Sequence, residues 1–387
     1  MEINKIQLKY LSVLLLVLLI FGCNEPTTTP IENDVEEPQI TLELNPSPDN
    51  PRNSEGDFID LEGGKTMFVY SKYSGESSSD HAPASLAARY SEDGGESWTG
   101  SDEIVVPNEG GMNVMSVSLL RLQNGDIALF YLRKNSTEDC IPMMRISRDE
   151  AESWSEPIEC ITDKEGYFVL NNDRVIQLED GRLMMAVARH TQPGGEWKSA
   201  GDLFAYYSDD NGQTWTSSSQ VPNNTEIITQ EPGLIEMNDG KIMMYIRASG
   251  GYQQRSFSTD RGQTWSHIEK SNIPSPVSPA TIEKIPDTKD WLLVWNNNDG
   301  SNPEISGKRT PISMAISRNE GETWESVKNI EDDPDGWYCY IAIHFPENKE
   351  NIMLSYCAGN RPQGTGLSVT HITRLNNEWI YNVEQNN

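Results

Sequence analysis

The 387-residue chain has only five cysteines, five histidines and 30 basic side chains, the last against 59 acidic ones. Each shortage removes a class of function. No Cys or His cluster has the spacing of a zinc site, and no Walker or dinucleotide-binding glycine pattern occurs, so no metal and no cofactor are expected. A net charge of −29 repels phosphate backbones and argues against nucleic acid as a partner. A small anionic ligand stays possible, because screening over about 8–10 Å lets a local arginine cluster dominate at short range. Helical periodicity is nearly absent. Long apolar runs are also scarce: Leu11 to Phe21, behind Lys5 and Lys9, is too short to span a bilayer comfortably and reads as an export segment.

What the chain does have is a phrase repeated five times. Ser91-Glu-Asp93-Gly-Gly95-Glu-Ser97-Trp98 is the first copy, and Ser147 to Trp154, Ser208 to Trp215, Ser258 to Trp265 and Ser317 to Trp324 follow at intervals of 50 to 61 residues. The common pattern is Ser-x-Asp-x-Gly-x-(Ser/Thr)-Trp, an Asp box. In a tight turn its Asp accepts backbone N–H bonds, its Gly supplies positive φ, and its Trp pins the turn to its neighbours. Ala151 replaces one Gly, and Asn319 replaces one Asp. An aspartate used five times is scaffold rather than five active sites.

A second repeat counts the units. Gly63 to Tyr70, Asn124 to Tyr131, Asp180 to Val187 and Asp239 to Ile246 each pair a turn with an apolar strand, and Lys289 to Trp295 and Lys349 to Tyr356 continue the series in weaker form. Nearly all-apolar strands suit sheets packed on both faces. Periods of this length with hairpin signatures predict an all-β, six-bladed β-propeller over residues 40–387.

Residues 1–23 end in Leu19-Ile-Phe-Gly22-Cys23, which resembles a bacterial lipoprotein signal with Cys23 as the lipidated residue. Residues 24–39, rich in Pro, Thr and Glu, read as a disordered tether. The membrane is then met only through the lipid, at the outer membrane or cell surface or in the periplasm. Cys140, Cys160, Cys339 and Cys357 remain; local pairs within a unit or four buried thiols both fit.

Three arginines stand at matching places in different units: Arg52 before the first strand, Arg247 at the end of Met243 to Arg247, and Arg309 shortly before the fifth box. Converging on one axis, they would make a socket for a carboxylate. With them, the region from Arg52 to about Leu375 resembles the sialidase (neuraminidase) family, six-bladed propellers with these Asp-box turns. The resemblance implies that Arg52, Arg247 and Arg309 clamp the carboxylate of a terminal acidic sugar on a glycan. It implies Asp80, in Ser79-Asp80-His81, as acid/base, Glu231 as the base that activates a nucleophile, and Tyr338 as that nucleophile. Tyr340, on the same side of a strand, stays a rival. A neutral phenol suits an anomeric carbon that carries a carboxylate, since an anionic nucleophile would be repelled. The implied activity is exo-acting glycoside hydrolysis with retention.

Some residues depart from the family pattern. Pro51-Arg52-Asn53-Ser54-Glu55 replaces Arg-Ile-Pro and puts a carboxylate near the socket. Asp173 and Arg174, in the polar run Leu170 to Arg174, stand where the family carries small glycines, and both are candidate substrate contacts. His190 ends the apolar strand of the same unit. These differences allow another acidic sugar, such as a uronic or 2-keto-3-deoxy sugar, or a protein that binds glycans without cleaving them.

Overall fold

The computed structural model describes residues 36–347 and 351–382. The export segment, Cys23 and residues 24–35 lie outside the described residues. Strand and tight turn alternate along the chain, so strands pair antiparallel with their sequence neighbours. One exception is β1 (Gln39–Leu44), which waits for the far end of the chain. β2 (Asn53–Leu61), β3 (Lys65–Tyr73), β4 (Ala84–Ser91) and β5 (Glu103–Val106) form one four-stranded sheet in that order. β6 (Asn113–Arg121), β7 (Ile127–Lys134), β8 (Cys140–Ser147) and β9 (Ile158–Glu159) make the next run. β10 (Tyr167–Val169), β11 (Val175–Gln177), β12 (Leu183–Thr191), β13 (Asp202–Ser208) and β14 (Thr216–Ser217) make another. These two runs form one nine-stranded sheet, because a single parallel bridge from Tyr167 to Cys140 joins them.

β15 (Thr229–Glu236), β16 (Ile242–Ala248), β17 (Tyr252–Ser258) and β18 (Glu269–Pro274) form a four-stranded sheet. So do β19 (Thr281–Lys284), β20 (Trp291–Trp295), β21 (Ile312–Ser317) and β22 (Glu325–Glu331). β23 (Gly336–His344), β24 (Asn351–Asn360) and β25 (Thr370–Asn376) take β1 as their fourth strand, with Leu44 opposite Thr370. The short helix α1 (Asn377–Tyr381) buries Trp379 and Ile380, and Trp379 Nε1 donates to Glu37 at 3.0 Å.

The six turn-plus-strand repeats are the second strands β3, β7, β12, β16, β20 and β24. Their apolar side chains are buried because each sheet is covered on both faces. The first strands touch one another: β2 meets β6 and β23, β11 meets β6 and β15, and β19 meets β15 and β23. Buried carboxyls bridge these strands. Asp57 accepts the Phe58 and Leu119 N–H groups, both at 2.7 Å, and Asp173 accepts the Ile343 N–H at 3.0 Å.

All five boxes share one hydrogen-bond scheme. In the first, Asp93 accepts from Ser91 Oγ at 2.8 Å and Ser97 N at 2.9 Å, while Ser91 Oγ accepts from Gly95 N at 2.9 Å. Asn319 does the same through its Oδ1, accepting from Thr323 N at 2.9 Å, so the turn needs an acceptor rather than a charge. Gly95 has φ +87°, and a Cβ there would lie 2.2 Å from Met353 Sδ. Ala151 bears φ +65° in the same role. Trp98 packs on Phe58 and Phe68, and Trp215 sets its edge on Phe130 at 6.0 Å. Cys140, Cys160, Cys339 and Cys357 are free, buried thiols.

Candidate active site

Four of the first strands break their regular pairing at one residue with positive φ. Glu55 (φ +56°) does so in β2, Ser116 (+60°) in β6, Glu231 (+37°) in β15 and Tyr340 (+57°) in β23. A bulge inserts one unpaired residue and re-aims its side chain. All four of these side chains line a single cavity of about 320 Å³. A non-glycine residue held at positive φ costs on the order of 1 kcal/mol, a strain that gathers at functional sites.

Within this cavity Arg247 Nη1 lies 2.6 Å from Glu231 Oε1, and Tyr340 Oη donates to the same oxygen at 3.4 Å. Arg309 faces the Tyr340 ring at 5.8 Å and the Trp337 ring at 5.4 Å. Arg247 Nε, Arg309 Nη1 and Glu231 Oε2 are buried without a hydrogen-bond partner among the described residues. Unpaired buried donors on two neighbouring guanidinium groups suit an anionic ligand. Burial, with Glu231 adding to it, pushes the Tyr340 phenol well above its ordinary value. Cys339 adjoins Arg309: burial opposes its ionisation, but the Cys357 hydrogen bond and Arg309 bring its thiol down to about 7.

Glu55, Asp80 and Lys134 also line the cavity; Arg52 is not in its lining and reaches it through its ion pairs with Glu55 and Asp80. Arg52 is buried above the Tyr73 ring at 4.5 Å; it donates from Nε to Ser54 Oγ at 2.9 Å and pairs with Asp80 through Nη1. Burial works against the charge of Asp80, but Arg52 prevails and holds its carboxyl below the usual range. Lys134, also buried, donates to the Asp80 carbonyl at 2.6 Å and so ties down the loop between β3 and β4. Trp197 stacks on His190 at 4.7 Å and 7°, at the cavity edge. Among the described residues, no group of three or more His, Cys, Asp or Glu side chains is placed to hold a metal ion.

The cavity therefore gathers Arg247, Arg309, Asp80 and Glu231; Arg52, expected to converge with the other two arginines, lies outside the lining and pairs with Asp80. Tyr338 is corrected. It is 3% exposed, packs on Gly336 and edge-on to Tyr356 at 6.3 Å, and has no place in the cavity lining; Tyr340 is the phenol beside Glu231. Asp173 and Arg174 are corrected too. Arg174 spends its donors on Thr281 Oγ1 at 3.0 Å and the Ala280 carbonyl at 2.6 Å, and Asp173 is taken by Ile343, so both act as interior ties away from the cavity.

The family model of the BNR repeat-like domain matches residues 69–358. The chain belongs to that family. A sialidase of Paraclostridium sordellii is 27% identical to this BNR repeat-like chain over 291 residues, covering 67% of this chain and 69% of the relative. An anhydrosialidase of Macrobdella decora is 29% identical over 258 residues, and the match spans 62% of this chain but only 31% of the relative. Among solved structures, the intramolecular trans-sialidase from Ruminococcus gnavus superposes with a TM-score of 0.67 at 14% identity, over 89% of this chain and 98% of that one. At that identity the likeness shows fold alone. The BNR repeat-like chain is thus a divergent, sialidase-like protein.

Sequence reasoning missed one part of this BNR repeat-like site, Lys134, and held another, Tyr340, only as a rival. Lys134 ends an apolar strand and has no motif around it. Tyr340 has the same strand parity as Tyr338, so only the bulge separates them.

Proposed function

We propose that the chain is an exo-acting, retaining glycoside hydrolase of sialidase type that releases a terminal acidic sugar from glycans. The observation that carries this reading is the contact of Tyr340 with Glu231, which also pairs with Arg247, in a cavity that also holds Asp80 and Arg309. Tyr340 Oη attacks the anomeric carbon as Glu231 takes its proton. Asp80, once it has left Arg52 and taken up a proton from solvent, gives that proton to the glycosidic oxygen as the bond breaks. It then deprotonates the water that displaces Tyr340. Arg247 and Arg309 grip the substrate carboxylate. Two displacements return the original configuration.

Six blades around one axis is the architecture this reading uses, and the contacts from each first strand to the next support it. Glu55, buried beside Arg52 and lining the cavity, favours a second substrate class in which a uronic or 2-keto-3-deoxy sugar replaces sialic acid. Export with lipidation at Cys23 belongs to the same proposal and places the enzyme where glycans are met. The test is a panel of aryl glycosides of sialic acid, a 3-deoxy-2-keto acid, glucuronic acid and neutral sugars, offered to purified protein. Turnover of an acidic member that is lost in Arg247→Ala supports the proposal. Turnover of neutral sugars alone, or of none, refutes it.

A further inference from the structure

Glu55 stands where the fold puts its chemistry. It is the positive-φ residue of the β2 bulge, the place held by Glu231 in β15 and by Tyr340 in β23. Its carboxylate is 5% exposed, lines the cavity, and lies 3.5 Å from Arg52 Nη2, while Arg52 Nη1 is on Asp80. Arg52 therefore faces two carboxylates of the protein. Arg247 and Arg309 face one between them, Glu231, and retain buried donors without a partner among the described residues.

We infer that Glu55 is a specificity-determining residue, an internal carboxylate that holds Arg52 out of the anion seat, so that a substrate acid group is gripped by Arg247 and Arg309 and competes with Glu55 for Arg52. This rests on the acidic-sugar reading of the cavity. It makes Glu55 a positioning residue, acting through Arg52 on how tightly an anion is held and leaving the reacting atoms alone.

The competition has a pH signature. Facing Glu55 are Arg52 ahead of β2, Tyr73 of β3, Asp80 of the next loop, Lys134 of β7 and Cys140 of β8. Tyr167 of β10, Glu231 of β15, Tyr340 of β23 and Cys357 of β24 complete the set. The three tyrosines and two thiols are pushed up and stay neutral. Burial, with Asp80 and Glu231, outweighs the pull of Arg52 and Lys134 and brings the Glu55 carboxyl to about 7. An arriving carboxylate adds negative charge and favours protonated Glu55, so anion binding takes up a proton above that pH.

The experiment titrates full-length protein by calorimetry at pH 5.5, 7 and 8. Its probes are 2-deoxy-2,3-didehydro-N-acetylneuraminate, a 3-deoxy-2-keto sugar acid and glucuronate. Wild-type Kd should rise about tenfold per pH unit above 7. Glu55→Gln should bind with flat pH dependence, about tenfold tighter than wild type at pH 8 and equal to it at pH 5.5, while Glu55→Asp keeps a slope. With any aryl glycoside that is turned over, the effect should appear in KM and leave kcat unchanged. Equal slopes in wild type and Glu55→Gln overturn the inference. So does weaker binding by Glu55→Gln at pH 8, or binding of no probe by either protein. Should Glu55→Gln fail to fold, wild-type titrations in two buffers of different ionisation enthalpy decide it: proton uptake on binding at pH 8 supports it, and none overturns it. Binding without turnover in the wild type refutes the hydrolase reading and leaves this inference standing.

Discussion

Replacing Tyr340 by Phe removes one oxygen from the cavity and nothing from its walls. The hydroxyl donates a single hydrogen bond to Glu231, at 3.4 Å. A bond that long contributes little, so stability should change by less than about 1 kcal/mol. Arg247 keeps its 2.6 Å contact with Glu231, and Arg309 is untouched, so substrate binding should survive. The chemistry should not: without a nucleophile the covalent route closes, and kcat should fall by at least about 10³-fold, or roughly 4 kcal/mol of barrier. Tyr338→Phe is the matched control, two residues away with its ring on Gly336 and Tyr356, and its kcat should stay within about threefold of wild type. Release of 4-methylumbelliferone from an aryl glycoside of the acidic sugar gives kcat and KM, and a circular-dichroism melt reports the fold. Near-normal turnover by Tyr340→Phe, or an equal loss in a well-folded Tyr338→Phe, would refute the assignment.

Three further outcomes concern the scaffold and its charges. Ala151→Gly relieves a φ of +65° in the second box and should stabilise the protein by about 0.5–1 kcal/mol; a lower midpoint in urea would count against backbone strain there. Trp215→Ala removes the ring set against Phe130 and the bond to the Gly212 carbonyl at 3.0 Å, at a cost of about 2–3 kcal/mol; its melting point should drop while kcat per folded molecule holds. Glu55→Gln should gain on wild type as pH rises. Burial raises this carboxyl from 4.5 to about 7 in the folded protein, so its contribution is full below pH 4.5 and is lost as pH climbs through 7, by about 3 kcal/mol at most. Melts from pH 4 to 8 should therefore show the two proteins diverging upward, and a constant difference would mean that Glu55 is ionised throughout.

The site is partly legible in the sequence. Arg247 and Arg309 stand at matching places in the repeats, the resemblance to sialidases adds Glu231 and Asp80, and all four line one cavity. The resemblance points to Tyr338 with Tyr340 as a rival on the same side of a strand, and the bulge between Cys339 and Ala342 breaks that parity. Asp173 and Arg174 are not legible in the same way, because a polar run at a strand entrance looks alike whether it meets a ligand or ties first strands together. What covers such a run is decided by residues over 100 positions away, Thr281 and Ile343 among them.

By itself the sequence determined the repeated strands and the hairpin pairing of neighbours, because apolar alternation and turn chemistry act over a few residues and recur with the repeat. The pairing of β1 with β25 and the bridge from β10 to β8 join distant segments that no local pattern links. It also determined that the boxes serve as turns, since all five use the same local hydrogen bonds. Only the tertiary structure decided which side chains meet. Glu55, Ser116, Glu231 and Tyr340 share one cavity because positive-φ bulges turn four separated strands toward it. No local pattern encodes such a bulge in a non-glycine residue. Its strain is borne by packing between sheets, and so it exists only once the chain has folded.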